Sequence, residues 1–172
     1  MNLQEFSMNI YRFLESDIRW YMNAFPAIAL IGPRQVGKTT TAKALAKSFG
    51  DKAIYLDLES EEDQARLQQA ERYFRERSDY LIILDEIQRR PDLLVLLRSV
   101  IDANRINGRF ILTGSASPDL LMRSSESLAG RIAYLEMQPL HFMEIKHLNS
   151  FSYLWLNGGF PDVYKQEDAS LR

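Results

Sequence analysis

The octapeptide Gly32-Pro33-Arg34-Gln35-Val36-Gly37-Lys38-Thr39 meets the pattern GxxxxGK(S/T) at every specified position. It constrains the chain more than any other feature, because each of its parts has a physical task. Gly32 and Gly37 allow backbone conformations that a β-carbon would hinder, so successive N–H groups can surround a phosphate. Lys38 brings a mobile point charge to the β- and γ-phosphates, and the Thr39 hydroxyl is the ligand expected for Mg²⁺. The apolar run Ala27 to Ile31 reads as a strand buried on both faces. After the loop, Ala42, Leu45, Ala46 and Phe49 share one side of a helix predicted from Lys38 to Phe49, with Gly50 as its stop. The positive N-terminal end of that helix adds to an anion site. Composition alone gives this pattern in roughly 1% of chains. With a strand before it and a helix after it, an incidental lysine in a turn is the weaker explanation.

The same alternation continues along the chain. Residues 4 to 22 carry apolar side chains at helical spacing, from Phe6 through Ile10, Phe13 and Leu14 to Ile18. Strands are predicted at Ala53–Leu58, Tyr80–Leu84, Phe110–Thr113 and Ile132–Met137. Helices are predicted from Ser60 to about Arg77, from Pro91 through Asn104 and, briefly, from Pro118 to Arg123. Ser60-Glu61-Glu62-Asp63 resembles an N-cap signal, with Asp63 where Glu is usual. Strands alternating with helices give βαβ units, hence an α/β fold with a mainly parallel sheet.

A length of 172 residues argues for one domain with an appendage. The expected division is an N-terminal amphipathic helix over residues 1–24, a core over 25–148 and, over 149–172, the start of a C-terminal region expected to be truncated. Gly158-Gly159 breaks the aromatic run Phe151–Leu156, and Glu167–Arg172 ends without a closing signal, as a fraying end does. The absence of cysteine excludes a disulfide framework, a Cys-based zinc site and a thiol nucleophile. The two histidines, His141 and His147, lack metal-ligand spacing and read as structural. With 21 basic and 23 acidic residues the chain has no global charge footprint for nucleic acid. No stretch approaches the roughly 20 apolar residues of a membrane span, and Glu5 stands where an export signal would be basic. The expected location is therefore cytoplasmic, without a membrane partner.

Leu81-Ile82-Ile83-Leu84-Asp85-Glu86 is an apolar strand that delivers two carboxylates at its C-terminal end, where parallel sheets bind ligands. Asp85 is the candidate that holds Mg²⁺ through its water shell, together with Thr39. Glu86 is the candidate that orients or deprotonates a water attacking the γ-phosphate. The plain alternative is an exposed strand-end turn, with Glu86 capping the next segment. Phe110 to Ser115 ends in hydroxyls, and Thr113 first, Ser115 second, are candidates for γ-phosphate contact. A turn stabilised by Ser and Thr side chains is the competing explanation. Asp57 and Glu59 lie at the same edge and fit either the metal network or a helix's first turn. Arg34, inside the loop, fits a nucleotide contact or solvent. The stretch Glu71–Arg77 mixes basic, acidic and aromatic residues, as a solvated helix face does.

The runs LIGPRQVGKTT, LIILDEIQ, RFILTGS and LAGRI together resemble the AAA+ ATPases. More closely, they resemble a prokaryotic AAA+-like family whose ATPase core precedes a C-terminal domain of unknown function. The resemblance covers about Arg12 to Tyr164, with GPRQVGKTT, DEIQ and GGFP as its distinctive segments. It implies a P-loop NTPase three-layer sandwich with a five-stranded sheet ordered 5-1-4-3-2. It implies ATP and Mg²⁺ as cofactors, held by Gly32, Pro33, Arg34, Gln35, Val36, Gly37, Lys38, Thr39 and Thr40, with Thr39 and Asp85 on the metal. Thr113 or Ser115 would be sensor 1. Arg131, just before the last core strand, would be the arginine finger that reaches a neighbouring subunit's nucleotide, hence a homo-oligomer. Arg123 is the second arginine candidate, and a surface role accounts for either. The sequence departs from the pattern in lacking a recognisable helical lid with a sensor 2 arginine.

The implied function is an ATP hydrolase core whose nucleotide state drives conformational change in an oligomer or partner complex. A nucleotide-dependent binding module with negligible turnover is the alternative. A P-loop kinase is the third, disfavoured by Glu86 and by the lack of an evident acceptor pocket. A protein or DNA partner stays open.

Overall fold

The structure, a computed structural model, describes residues 10–115 and 128–165. The predicted helix Pro118–Arg123, with Arg123 itself, the residues before Ile10 and the tail after Lys165 lie outside the described residues. Five strands, β1 (Ala27–Gly32), β2 (Ala53–Asp57), β3 (Leu81–Asp85), β4 (Phe110–Ser115) and β5 (Ile132–Glu136), form one sheet in the order β2-β3-β4-β1-β5. All four pairings are parallel. Read from the other edge, this is the 5-1-4-3-2 order that the resemblance implies.

Period-two alternation sends the strand side chains into two cores, one on each face. Ala27, Ala29, Ile82, Leu84, Phe110 and Leu112 face one side. There they meet α4 (Ala70–Glu76) and α5 (Asp92–Ala103), with Phe74 edge-on to Phe110 at 5.6 Å between ring centroids. Ile28, Leu30, Leu81, Ile83 and Ile111 face the other side, under α1 (Leu14–Met22) and α2 (Lys38–Phe49). A strand covered on both faces has no polar side to alternate with, which is why these segments read as continuous apolar runs. Truncating a fully buried leucine such as Leu30 or Leu97 to alanine costs about 2–5 kcal/mol.

The N-terminal helix is shorter than its periodicity suggests within the described residues. It starts at Leu14 because the preceding backbone is anchored elsewhere, the Phe13 N–H donating to Glu144 Oε1 at 2.9 Å. Ile18 and Met22 then bury its apolar stripe against the sheet. The helix predicted from Ser60 to Arg77 is two, α3 (Glu61–Arg66) and α4. Leu67 is buried, and Leu67 N–H and Gln68 N–H bond three residues back, to Gln64 and Ala65, so the chain tightens and turns there. Ser60 occupies the N-cap position without a side-chain cap, and Asp63 instead accepts from the Asp57 N–H at 2.9 Å.

Beyond β5 the described residues form three short helices, α6 (Phe142–Ile145), α7 (Phe151–Asn157) and α8 (Asp162–Lys165). Leu140, Ile145 and Tyr164 make a third, small core, with Ile10, Leu148 and Tyr153 against it. His141 caps α6, its Nδ1 accepting from the Met143 N–H at 3.2 Å, which is the structural role expected for it. Among the described residues no helix is long and apolar enough to cross a membrane.

Candidate nucleotide site

The loop between β1 and α2 sits at the C-terminal edge of the sheet. Gly37 adopts φ 106°, in the left-handed region, and ends the loop as the N-cap of α2 with no side-chain cap. The first-turn N–H groups of a 12-residue helix thus face the loop without a side chain on them, as an anion site requires. Gly32 is needed for a different reason: a β-carbon there would lie 2.4 Å from the Met137 carbonyl oxygen. Lys38 folds back on its own loop, Nζ donating to the carbonyls of Gly32 at 2.9 Å and Pro33 at 2.7 Å. Burial pulls its pKa below the ordinary 10.5, while Glu86 and Asp85 oppose the shift. An ammonium short of solvent and beside two acids is poised to take phosphate oxygens in exchange for carbonyls.

Asp85 ends β3, only 2% exposed. Thr39 Oγ1 donates to its Oδ2 at 2.9 Å, the Tyr55 hydroxyl donates to the same oxygen, and the Thr113 hydroxyl donates to Oδ1. A hydroxyl and a carboxylate side by side are the hard oxygen donors that Mg²⁺ accepts, with phosphates and water completing its shell. Burial and the bond to Asp85 push the Tyr55 phenol far above its ordinary pKa, which keeps it a donor.

Glu86 follows in the left-handed region, φ 59° and ψ 49°. A non-glycine residue there stores about 1–3 kcal/mol of strain, of the kind that collects at active sites. Its N–H donates to Thr113 Oγ1 at 3.2 Å, and its carboxylate accepts from the Gln88 amide. A cavity of about 510 Å³ opens over these groups, within the range of small-ligand sites. Arg34, Gln35, Gly37, Lys38, Thr39, Thr40 and Glu86 line it, together with Ile10, Arg12, Leu140 and Pro161.

The structure therefore gathers Lys38, Thr39, Thr40, Asp85 and Glu86 at one place. Thr113, fully buried, touches both acids and does not line the cavity. Ser115 ends β4 opposite Gly32 in register. Glu59 lines the cavity but is paired with Arg89, at 2.5 Å, and Asp57 turns the chain by accepting from the Glu59 N–H. Arg131 lies at the other edge of the sheet, where its carbonyl accepts from the Ala27 N–H at 3.0 Å. Its guanidinium holds both oxygens of Asp102, at 2.6 and 2.8 Å, which lowers that carboxyl's pKa and raises its own. It does not join its own chain's site.

Sequence reasoning missed two residues. Tyr55 was legible only as a strand residue, although a tyrosine on a covered face needs a partner for its hydroxyl. Arg12, 6% exposed, donates from Nε to Glu144 Oε1 at 3.1 Å, from Nη1 to the Val36 carbonyl at 2.8 Å and from Nη2 to the Gln138 carbonyl at 2.5 Å. It ties the phosphate loop to the segment after β5.

A family profile described as an AAA domain matches residues 24–146. The chain belongs to that family. It is an AAA+-like P-loop ATPase core. The chain is 38% identical over 147 residues to uncharacterized protein Rv2008c of Mycobacterium tuberculosis and, equally, to uncharacterized protein Mb2031c of Mycobacterium bovis. Each match takes in 86% of this chain and 32% of the relative, so the chain spans about a third of those proteins' length. Among solved structures, it resembles the Walker-type ATPase PABY2304 of Pyrococcus abyssi. That match has a TM-score of 0.62 and 18% identity, over 91% of this chain and 66% of the other. It also resembles AMPPCP-bound DnaA from Aquifex aeolicus, with a TM-score of 0.55 and 12% identity over 87% and 57%. At such identities the two structures speak for the fold.

Proposed function

We propose that this AAA domain binds Mg-ATP and hydrolyses it, and that its nucleotide state is coupled to conformational change in a cytoplasmic homo-oligomer acting on a protein or DNA partner. The observation that carries the reading is the convergence of Lys38, Thr39 and Glu86 on one cavity at the C-terminal edge of the sheet, with Asp85 hydrogen-bonded to Thr39. Lys38 and the loop amides hold the phosphates. Thr39 and Asp85 hold Mg²⁺, which supplies charge neutralisation when bound. Glu86 orients or deprotonates the attacking water. Thr113 reports the γ-phosphate through the two acids it touches rather than directly, and Ser115 is the second candidate for that contact. Arg131 acts across a subunit boundary, exchanging Asp102 for the nucleotide of the next copy.

Phosphate release from Mg-ATP, followed at several protein concentrations, tests this. Specific activity should rise with concentration and fail in Lys38→Ala and Glu86→Gln. In Arg131→Ala it should drop by about 10³–10⁵ if the arginine stabilises the transition state. Activity independent of concentration and intact in Arg131→Ala would remove the oligomer from the mechanism. ATP binding without phosphate release, in wild type as in Glu86→Gln, would leave a nucleotide-dependent binding module. Release without any acceptor excludes a kinase.

A further inference from the structure

We propose that Tyr55 is a positioning residue for Asp85, holding the carboxylate in the orientation that receives Mg²⁺ beside Thr39. The inference rests on the Mg-ATP reading above and concerns a residue outside every motif in the sequence. Register sets up the contact. Asp57 pairs with Asp85 and Tyr55 with Ile83, and both pairs belong to the face of the sheet covered by α2. Tyr55 therefore starts two residues short of Asp85. Two residues of strand span about 6.6 Å, close to the reach of a tyrosine side chain and beyond that of serine or threonine. Thr113 projects to the same face, two residues after Ile111, and meets the carboxylate from β4.

Three hydroxyls from three elements thus converge on one buried carboxylate: Thr39 from α2, Tyr55 from β2 and Thr113 from β4. Their division between the oxygens is informative. Thr113 takes Oδ1, while Thr39 and Tyr55 share Oδ2. With the Thr39 hydroxyl given over to a cation, Oδ2 would lose one donor and keep Tyr55. Tyr55 on Oδ2 and Thr113 on Oδ1 would then hold the carboxylate's orientation toward the cation and its water shell. Without the phenol the carboxylate pivots about Thr113, and the cation meets a less ordered ligand. The ring itself is part of the α2-side core, with the Lys43 ammonium 5.1 Å from its centroid, so the hydroxyl is held rather than free to swing.

Tyr55→Phe deletes one oxygen and leaves the ring. The test measures ATP affinity for the full chain by calorimetry, first with EDTA and then across an Mg²⁺ titration, in wild type, Tyr55→Phe and Lys38→Ala. Tyr55→Phe should raise the Mg²⁺ concentration for half-maximal tightening by about tenfold, as loss of a partner behind a metal ligand does. Its metal-free ATP affinity should stay within about twofold of wild type, because Tyr55 does not touch the phosphate loop's cavity. An unchanged Mg²⁺ midpoint overturns the proposal. So does an equal loss of affinity with and without Mg²⁺, which would make Tyr55 a packing residue. Absence of ATP binding in wild type, as in Lys38→Ala, overturns the Mg-ATP reading itself and is distinguishable from either. A second measurement needs no variant at Tyr55: with tyrosine labelled at the ζ-carbon, Mg²⁺ should shift one buried resonance of the ATP-bound wild type. A spectrum unmoved by Mg²⁺ also overturns the proposal.

Discussion

Arg12→Ala should be among the most damaging single substitutions in this chain, although Arg12 belongs to no recognised motif. The side chains of Arg12 and Glu144 are 7% and 5% exposed, so their ion pair has been taken out of water. Removing one partner of such a pair costs about 3–5 kcal/mol, because a buried charge is left behind. Here the lower end applies to Arg12→Ala. Glu144 keeps two donors, the Phe13 N–H at 2.9 Å and the His141 N–H at 2.8 Å, and these soften the loss. In a domain of this size about 3 kcal/mol corresponds to a melting temperature lower by roughly 6–12 °C. Urea denaturation should show the midpoint falling with an unchanged m-value. The double variant Arg12→Met/Glu144→Leu should cost less than the two single changes added together, since it strands no charge. The Val36 carbonyl lies inside the phosphate loop, so Arg12→Ala should also weaken ATP binding. A loss of less than about 0.5 kcal/mol, the scale of ordinary surface substitutions, would refute the reasoning. So would additivity in the double-mutant cycle.

Four further outcomes are expected of the site. ATP at 100 times its Kd should stabilise the wild type by about 2.7 kcal/mol, and Lys38→Ala should remove most of that gain in a thermal-shift titration. The burial that lowers the Lys38 pKa below 10.5 has a sign that can be checked. ATP affinity should fall as pH rises through the lowered value, where the ammonium is lost, and Lys38→Arg should flatten that fall because arginine stays charged. Over the same window the nucleotide-free protein should gain stability from this group, because the unfolded lysine still binds a proton that the folded one has released. Gly32→Ala should cost about 1–3 kcal/mol, since its β-carbon would press within 2.4 Å of a backbone carbonyl that cannot swing aside; denaturation with wild-type stability would contradict that contact.

What the sequence disclosed and what it withheld divide by distance along the chain. The phosphate loop is eight consecutive residues, and the acids Asp85 and Glu86 are adjacent, so pattern and chemistry coincide in one window. The strands were legible because burial on both faces removes polar residues from them, and their order came through the resemblance rather than through any single segment. The break at Leu67–Gln69 was not legible. No glycine or proline marks it, and the chain turns there so that Leu67, Ala70 and Phe74 can all reach one core. Arg12 and Glu144 are 132 positions apart, and nothing in either neighbourhood announces the other. Thr113 shows the same limit from the other side. Its place at the end of a strand pointed to a phosphate contact, but only the fold reveals that its hydroxyl is engaged with Asp85 and its lone pair with the Glu86 N–H.

That engagement changes how the site has to work. With Thr113 bonded to both acids, any movement of Asp85 toward a cation or of Glu86 toward water is transmitted to β4, at the centre of the sheet between β3 and β1. Arg12 supplies the complementary connection, from the phosphate loop outward to Gln138 and Glu144 after β5. The cavity therefore has one link into the core and one into the small helical segment that contributes Leu140 and Pro161 to its lining. Of the two, the outer link is the one expected to give way first. It joins short helices through a core of three fully or nearly buried residues, whereas β4 is clamped by ladders on both sides. Small cores bury less and open at lower cost. A change of nucleotide state should accordingly be read out first in the Arg12–Glu144 connection and the segment from Leu140 to Tyr164, with the sheet as the fixed frame.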